Sequence, residues 1–183
     1  MSNACKSESH VSVETPEGVS PDLQWYALMT CSRHEKQVRD RLVAIGVEPF
    51  LPLTRCVSQW SDRKVWKVTP LFSGYCFARF SLMNRLAILQ TPGIVRIVGI
   101  IKPEPIPDEE LAAIMKISVS ERHVESCDYF TEGAWVEVIR GPLAGIRGQL
   151  VRKDKHDCLV IRAHLIQRAA IVHINMSEVI LVD

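Results

Sequence analysis

Cys31 and His34 stand three residues apart where a strand is expected to give way to a helix, close enough for an imidazole to activate a thiol. No third group that would orient the histidine is recognisable, so Cys31 reads as a packed residue at a strand end. His164 and His173 flank an expected turn between strands, but two imidazoles are half of a zinc site. With no thiolate or carboxylate to complete it, both read as surface histidines. The six cysteines (Cys5, Cys31, Cys56, Cys76, Cys127, Cys158) are scattered without a Cys-x-x-Cys pair, which argues against a disulfide framework or a zinc site. They read mostly as small apolar side chains in a reducing cytoplasm. A Gly-rich phosphate loop, a His-Glu-x-x-His helix and a nucleophile elbow are all missing from the sequence. The expectation is a protein without catalysis, metal or cofactor.

The elements that carry these residues divide the chain. Residues 1–22 are rich in Ser, Glu and Pro, carry net charge −3, and read as a disordered tail. They contain no apolar secretion signal, and no apolar run in the chain approaches the ~18 residues of a membrane helix. Residues 23–117 hold thirteen Lys/Arg against eight acids, a moderately basic balance suited to work near nucleic acid. Their pattern is strand (Leu23 to Met29), helix (Arg33 to Ile45, capped by Ser32, stopped by Gly46), then an extended segment from Val47 to Leu53. A hairpin about Ser61-Asp62-Arg63, a strand from Tyr75 to Phe80, a short helix from Asn84 to Gln90 and a strand from Ile94 to Val98 follow. The last helix opens at Pro107-Asp108-Glu109-Glu110, with proline and three acids at its positive end, and has Leu111, Ile114 and Met115 as its apolar face. This order predicts an α+β fold, a sheet with helices packed on it. Residues 118–129, charged and poorly periodic, read as a linker. From residue 130 to 183 five short β segments (135–140, 146–153, 157–163, 168–174, 179–182) predict a small barrel or sandwich.

Within that second part, Glu132 to Gly148 runs an alternating strand into Gly141-Pro142-Leu143-Ala144-Gly145 and out through Gly148. Pro142 presets φ, while Gly141, Gly145 and Gly148 offer backbone angles that a side chain would block. The stretch resembles the KOW motif of small β-barrels in transcription elongation factors and some ribosomal proteins.

Four further segments stand ahead of it: Trp25-Tyr26-Ala27-Leu28 with Glu35 and Val38, Pro70-Leu71-Phe72-Ser73-Gly74-Tyr75-Cys76-Phe77, Thr91-Pro92-Gly93-Ile94-Val95 and Ile106-Pro107-Asp108-Glu109-Glu110 in that order. Together with the KOW stretch they resemble the NusG family of transcription elongation factors over residues 24–183. The resemblance implies an N-terminal α/β sandwich of the NGN type over 23–117 and a C-terminal SH3-like β-barrel with a KOW motif over 130–183. It implies a monomeric, cytoplasmic, membrane-free, non-catalytic factor that binds bacterial RNA polymerase, suppresses pausing and promotes antitermination.

By the same resemblance, Tyr26, Phe50, Pro52, Leu71, Phe72 and Tyr75 match an apolar depression that receives the polymerase clamp helices. For Tyr26 and Tyr75, packing in the core fits the sequence equally well; Phe72, beside a turn, reads as interface. Asn84 and Arg85 match the helix start that approaches the polymerase gate loop, with a solvated helix start as the alternative. Arg55, Arg63, Lys64 and Lys67 on the hairpin would contact non-template DNA phosphates, with Trp60 or Trp66 stacking on a base; a solvated charged face is the alternative. Leu165, Ile166, Gln167 and Arg168 match the barrel loop that recruits ribosomal protein S ten or Rho. Two departures stand out: Ile166-Gln167 replaces an aromatic-Gly pair, and Ser73 replaces a proline. The first resembles specialised, operon-targeted paralogues such as RfaH, which is the reading preferred over the general factor. A ribosome- or RNA-binding KOW protein is the rival from another class, but such proteins are far more basic than net +1. Abundant β-branched residues in the last fifty predict a stable barrel without a switch to helix.

Overall fold

The computed structural model describes residues 23–60, 63–99, 101–120, 122, 124–128, 133–153 and 156–182; the expected tail at 1–22 and the hairpin tip at Ser61 and Asp62 lie outside them, as do the side chains of residues 57–64. Two antiparallel sheets and a separate hairpin hold the fold. In the first sheet β1 (Gln24–Thr30) is flanked by β5 (Tyr75–Phe80) and β6 (Ile94–Ile97), with β2 (Glu48–Phe50) outside β5. Residues of alternating parity on β1 and β5 face opposite sides. Tyr26, Leu28, Cys76, Ala78 and Phe80 pack under α1 (Glu35–Ala44) and α2 (Arg85–Leu89) through Val38, Leu42 and Ile88. Trp25, Ala27 and Phe77 face the other way, toward α3 (Asp108–Val119) and its Leu111, Ile114 and Ile117.

α1 starts two residues later than its sequence pattern predicts, and Ser32 does not cap it. Arg33 takes the left-handed conformation (φ 64), the His34 amide closes a tight turn onto the Cys31 carbonyl (3.1 Å), and His34 becomes the N-cap without a side-chain bond. Ile45, expected on the apolar stripe, is exposed because the helix ends at Ala44 and Ile45 is already the C-cap residue.

The hairpin β3 (Leu53–Trp60) and β4 (Arg63–Pro70) forms a two-stranded sheet of its own, longer than predicted at its base. The second large sheet has the order β12 (Val179–Leu181), β8 (Ala134–Val138), β9 (Arg147–Lys153), β10 (His156–Ala163), β11 (Arg168–His173), β7 (Val124–Asp128). Five of these strands lie within two residues of prediction. The sixth, β7, comes from the segment read as a linker. One buried cluster runs from Trp25 and Phe72 through α3 to Leu159, Ile161 and Val172, so α3 is the layer shared by the two sheets.

The glycine turn is explained in two ways. Gly141 and Gly145 both have φ +83, unfavourable for any residue with a Cβ, and the Gly145 amide closes onto the Val138 carbonyl (2.7 Å). Gly148 is not at positive φ, contrary to expectation. A Cβ there would lie 2.6 Å from the Val160 carbonyl oxygen, so this glycine is needed for close approach of β9 to β10.

Candidate functional site

On the α3 side of the first sheet, the loop between β4 and β5 presents Leu71 and Phe72. The Leu71 amide bonds the Pro52 carbonyl (2.8 Å) and the Tyr75 amide closes onto Phe72 (3.2 Å). The next bonds pin Gly74, at φ +82, from both sides: its carbonyl accepts from the Thr30 amide (2.8 Å), and its amide donates to Glu35 Oε1 (2.7 Å). Glu35 is buried, 5% exposed, so this charge-assisted bond stands where water cannot replace it. With these bonds the turn is closed without the proline that Ser73 replaces.

Phe72 meets Phe77 edge to face (centroids 6.2 Å, 85°) and Phe50 stacks on Phe77 (6.0 Å, 26°). Phe72 is 1% exposed, whereas Phe50 and Tyr75 are half-buried. The structure therefore brings Phe50 and Phe72 onto Phe77, with Leu71 and Tyr75 in the same hydrophobic cluster and Pro52 buried at the base of the turn. Tyr26 is not among them. It lies across the sheet, under the helices, with its ring 4.8 Å from Phe80 and its hydroxyl on Gln24 Oε1 (3.1 Å). Sequence reasoning missed Phe77 as the centre of the cluster and Glu35 as its pin. The period-two alternation of Tyr75, Phe77 and Arg79 was the available signal for the first.

Asn84 and Arg85 are exposed at the start of α2. Beside them Met83 (83% exposed) and Leu86 (66%) are large apolar side chains in solvent, and only Ile88 of α2 is buried. A five-residue helix with three leucine or isoleucine side chains has more apolar residues than one face can bury, and that excess was the signal in the sequence.

On the hairpin, Arg55 and Trp66 (69% exposed) share one face by register, while Lys67 lies on the other with Cys56, Thr54 and Thr69. The cations Arg63 and Lys64 have side chains outside the described residues.

In the second sheet the loop read as a partner contact is a 3-10 turn over His164–Ile166. Its Ile166 is buried (5% exposed) and Leu165 half-buried, leaving Gln167 and Arg168 exposed. Gln167 holds the left-handed conformation (φ 52, ψ 44), and its amide nitrogen Nε2 donates to the His164 carbonyl (2.8 Å). The His164 backbone amide donates to Glu110 Oε1 on α3 (2.9 Å). Burial pushes the Glu110 carboxyl up to about 7, against the opposing effect of that bond. A cleft of about 750 Å³ separates α3 from the sheet and holds Glu110, Lys116, Trp135 and Arg162 in its walls. Lys116 Nζ donates across it to the Ala144 carbonyl (2.7 Å).

The residues first weighed for chemistry do not come together. His34 donates from Nδ1 to the Ser32 carbonyl (2.9 Å) beside an exposed Cys31. His164 and His173 sit at opposite ends of β11 rather than across a turn, His173 lying 3.5 Å from Cys158 Sγ. Burial pushes the Cys76 thiol up to about 12, which keeps it protonated. Among the described residues, no three His, Cys, Asp or Glu side chains gather as a metal site would need.

A family model described as "Transcription termination factor nusG" matches residues 23–115. A Helicobacter pylori "Transcription termination/antitermination protein NusG" is 24% identical over 171 residues, covering 86% of this chain and 97% of that protein. Its counterpart from a second strain is 23% identical over the same length. Among solved structures, one from "Domain interaction in Thermotoga maritima NusG" superposes with TM-score 0.54 at 21% identity, over 88% of this chain and 98% of that one.

Proposed function

The chain belongs to the NusG family of transcription termination and antitermination factors, and from that membership we propose that it is a non-catalytic, cytoplasmic elongation factor acting as a monomer on bacterial RNA polymerase. Residues 23–117 form the polymerase-binding NGN-type domain and residues 130–183 an SH3-like KOW barrel, with β7, from the segment between them, covering the β11 edge of the second sheet. The factor bridges two mobile polymerase parts and lowers the population of the paused state.

The observation that carries this reading is the aromatic cluster held by the Glu35–Gly74 bond. Half-exposed Phe50 and Tyr75 over a rigid floor of Phe72 and Phe77 are suited to receive the apolar face of the clamp helices. Exposed Met83 and Leu86, with Asn84 and Arg85, form the second contact, to the gate loop. Arg55 and Trp66 on one hairpin face and Lys67 on the other, together with Arg63 and Lys64, serve the non-template strand. The KOW barrel recruits ribosomal protein S ten or Rho through 165–168.

The Ile166-Gln167 departure favours a specialised, operon-targeted factor. The general factor is the second reading, favoured by the names of the Helicobacter pylori relatives. Single-round transcription on a pausing template tests both. Phe72→Ala would confound function with folding, since truncating so buried a ring costs about 3–5 kcal/mol. The half-exposed pair is cleaner: Phe50→Ala with Tyr75→Ser should leave the chain folded and abolish pause suppression. Pause suppression on every template favours the general factor, and suppression only on a template with a recruiting element favours the specialised one. Unchanged activity in the double variant would remove the clamp-helix reading.

A further inference from the structure

Among the described residues, β11 is paired with β10 along one side, and its other edge is covered by β7 alone. β7 is a weak strand by composition. Of its residues Val124, Glu125 and Ser126, only Val124 is buried, while the β11 residues opposite them, Ala170, Ile171 and Val172, are all buried. The backbone ladder that runs along this edge is one that any extended chain can supply. The partner loop 165–168 runs straight into this edge, since Arg168 pairs with Asp128 at the far end of β7.

We propose that the β11 edge is a strand-acceptor site, that β7 is its internal and displaceable occupant, and that the protein recruited through 165–168 binds by adding an extended strand of its own there. This rests on the recruitment reading given above. The register states what that strand should look like. It has a β-branched residue opposite Val172, where Val124 now sits, and gains over β7 by carrying apolar residues in place of Glu125 and Ser126. β7 is also tied to the hairpin, because Thr54 Oγ1 donates to the Val124 carbonyl (2.7 Å). Displacing β7 thus releases a contact with the element proposed to lie near DNA.

The test uses the full chain with residues 124–128 replaced by Gly-Ser-Gly-Ser-Gly, and a labelled peptide of the sequence 122–130 with Cys127→Ser. The altered chain should bind the peptide about tenfold or more tighter than the unaltered chain, because its site is vacant in every molecule. Amide shifts should be confined to β11 and the loop before it. Ser126→Pro should act in the same direction. A folded altered chain that takes up the peptide no better than the unaltered one would overturn the proposal. So would collapse of the second sheet in both the Gly-Ser and the proline variants, since β7 would then be integral rather than displaceable. Purified ribosomal protein S ten separates the two readings. Tighter binding to the altered chain ties recruitment to the edge; equal binding to both chains overturns strand addition as the recruitment mode. No binding to either chain, with the peptide still captured, brings down recruitment of that protein and leaves the acceptor edge standing.

Discussion

Replacing Glu110 by Gln should make the protein more stable above neutral pH and leave it nearly unchanged in acid. Glu110 sits in the first turn of α3 and accepts the His164 amide across the contact between helix and second sheet (2.9 Å). Its carboxyl is raised from the ordinary 4.5 to about 7, chiefly by burial and in spite of that bond. A group with a higher pKa in the folded state binds its proton more tightly there than in the unfolded chain. The stability it contributes is full below about 4.5 and is lost as pH rises through about 7. Carried over whole, the rise would be worth about 3 kcal/mol. Solvent on the cleft side screens this half-buried carboxyl, and the working figure falls to about 1–2 kcal/mol. Glutamine keeps an oxygen to accept the His164 amide and never ionises.

Urea unfolding of the two proteins at pH 5 and pH 8 should show a difference within about 0.5 kcal/mol at the lower pH and about 1–2 kcal/mol in favour of Glu110→Gln at the higher. The Glu110 carboxyl carbon, followed by NMR in the unaltered chain, should titrate near 7. A variant equally displaced at both pH values, a variant less stable at pH 8, or a carboxyl titrating near 4.5 would each refute the reasoning.

Three further outcomes follow from single contacts. Gly148→Ala should lower stability by about 2–3 kcal/mol, since its Cβ would meet the Val160 carbonyl oxygen at 2.6 Å and the neighbour is backbone; calorimetry of the full chain reads this directly. Glu35→Ala leaves the Gly74 amide without its 2.7 Å partner in a buried place, at a cost of about 2–3 kcal/mol, and should reduce pause suppression as the Phe72 turn loosens. Met83→Ser with Leu86→Ser touches only exposed side chains, so its denaturation midpoint should move by less than about 0.5 kcal/mol while pause suppression falls; full activity would show that this face has no polymerase contact.

Elements with a strong local signal were legible from the sequence. Pro107 followed by three acids marks the start of α3 to within one residue, and the glycine turn marks β8 and β9. What stayed hidden is the side each residue takes. β1 is buried on both faces, so Trp25, Tyr26, Ala27 and Leu28 form an unbroken apolar run with no alternation to read. Only the register against β5 shows that Trp25 faces α3 and Tyr26 faces α1, which is why Tyr26 separates from the aromatic cluster. β7 was hidden for a different reason. It is held by the ladder along the edge it covers, and Val-Glu-Ser-Cys-Asp has no period-two apolar pattern for a sequence to reveal. Ile166 turns inward within a 3-10 turn of three residues, too short to have a period.

Hydrogen bonds that cross between the two halves of the fold include Glu110 with His164, Lys116 with Ala144, and Thr54 with Val124. Each is worth about 1 kcal/mol net, which is enough to set alignment and too little to hold the halves together alone. The holding comes from α3, whose Leu111, Ile114 and Ile117 are at most 1% exposed within a cluster drawn from both sheets. At about 2 kcal/mol for each side chain removed from water, these three outweigh the polar crossings by roughly a factor of two. Energy and alignment thus reside in different groups. A change at Glu110 or Thr54 should shift how the second sheet sits without freeing it, whereas Ile114→Ala, about 2–5 kcal/mol, should loosen the attachment itself. Amide exchange in β11 distinguishes the two: it should quicken for Thr54→Val only along the β7 edge, and for Ile114→Ala throughout the strand.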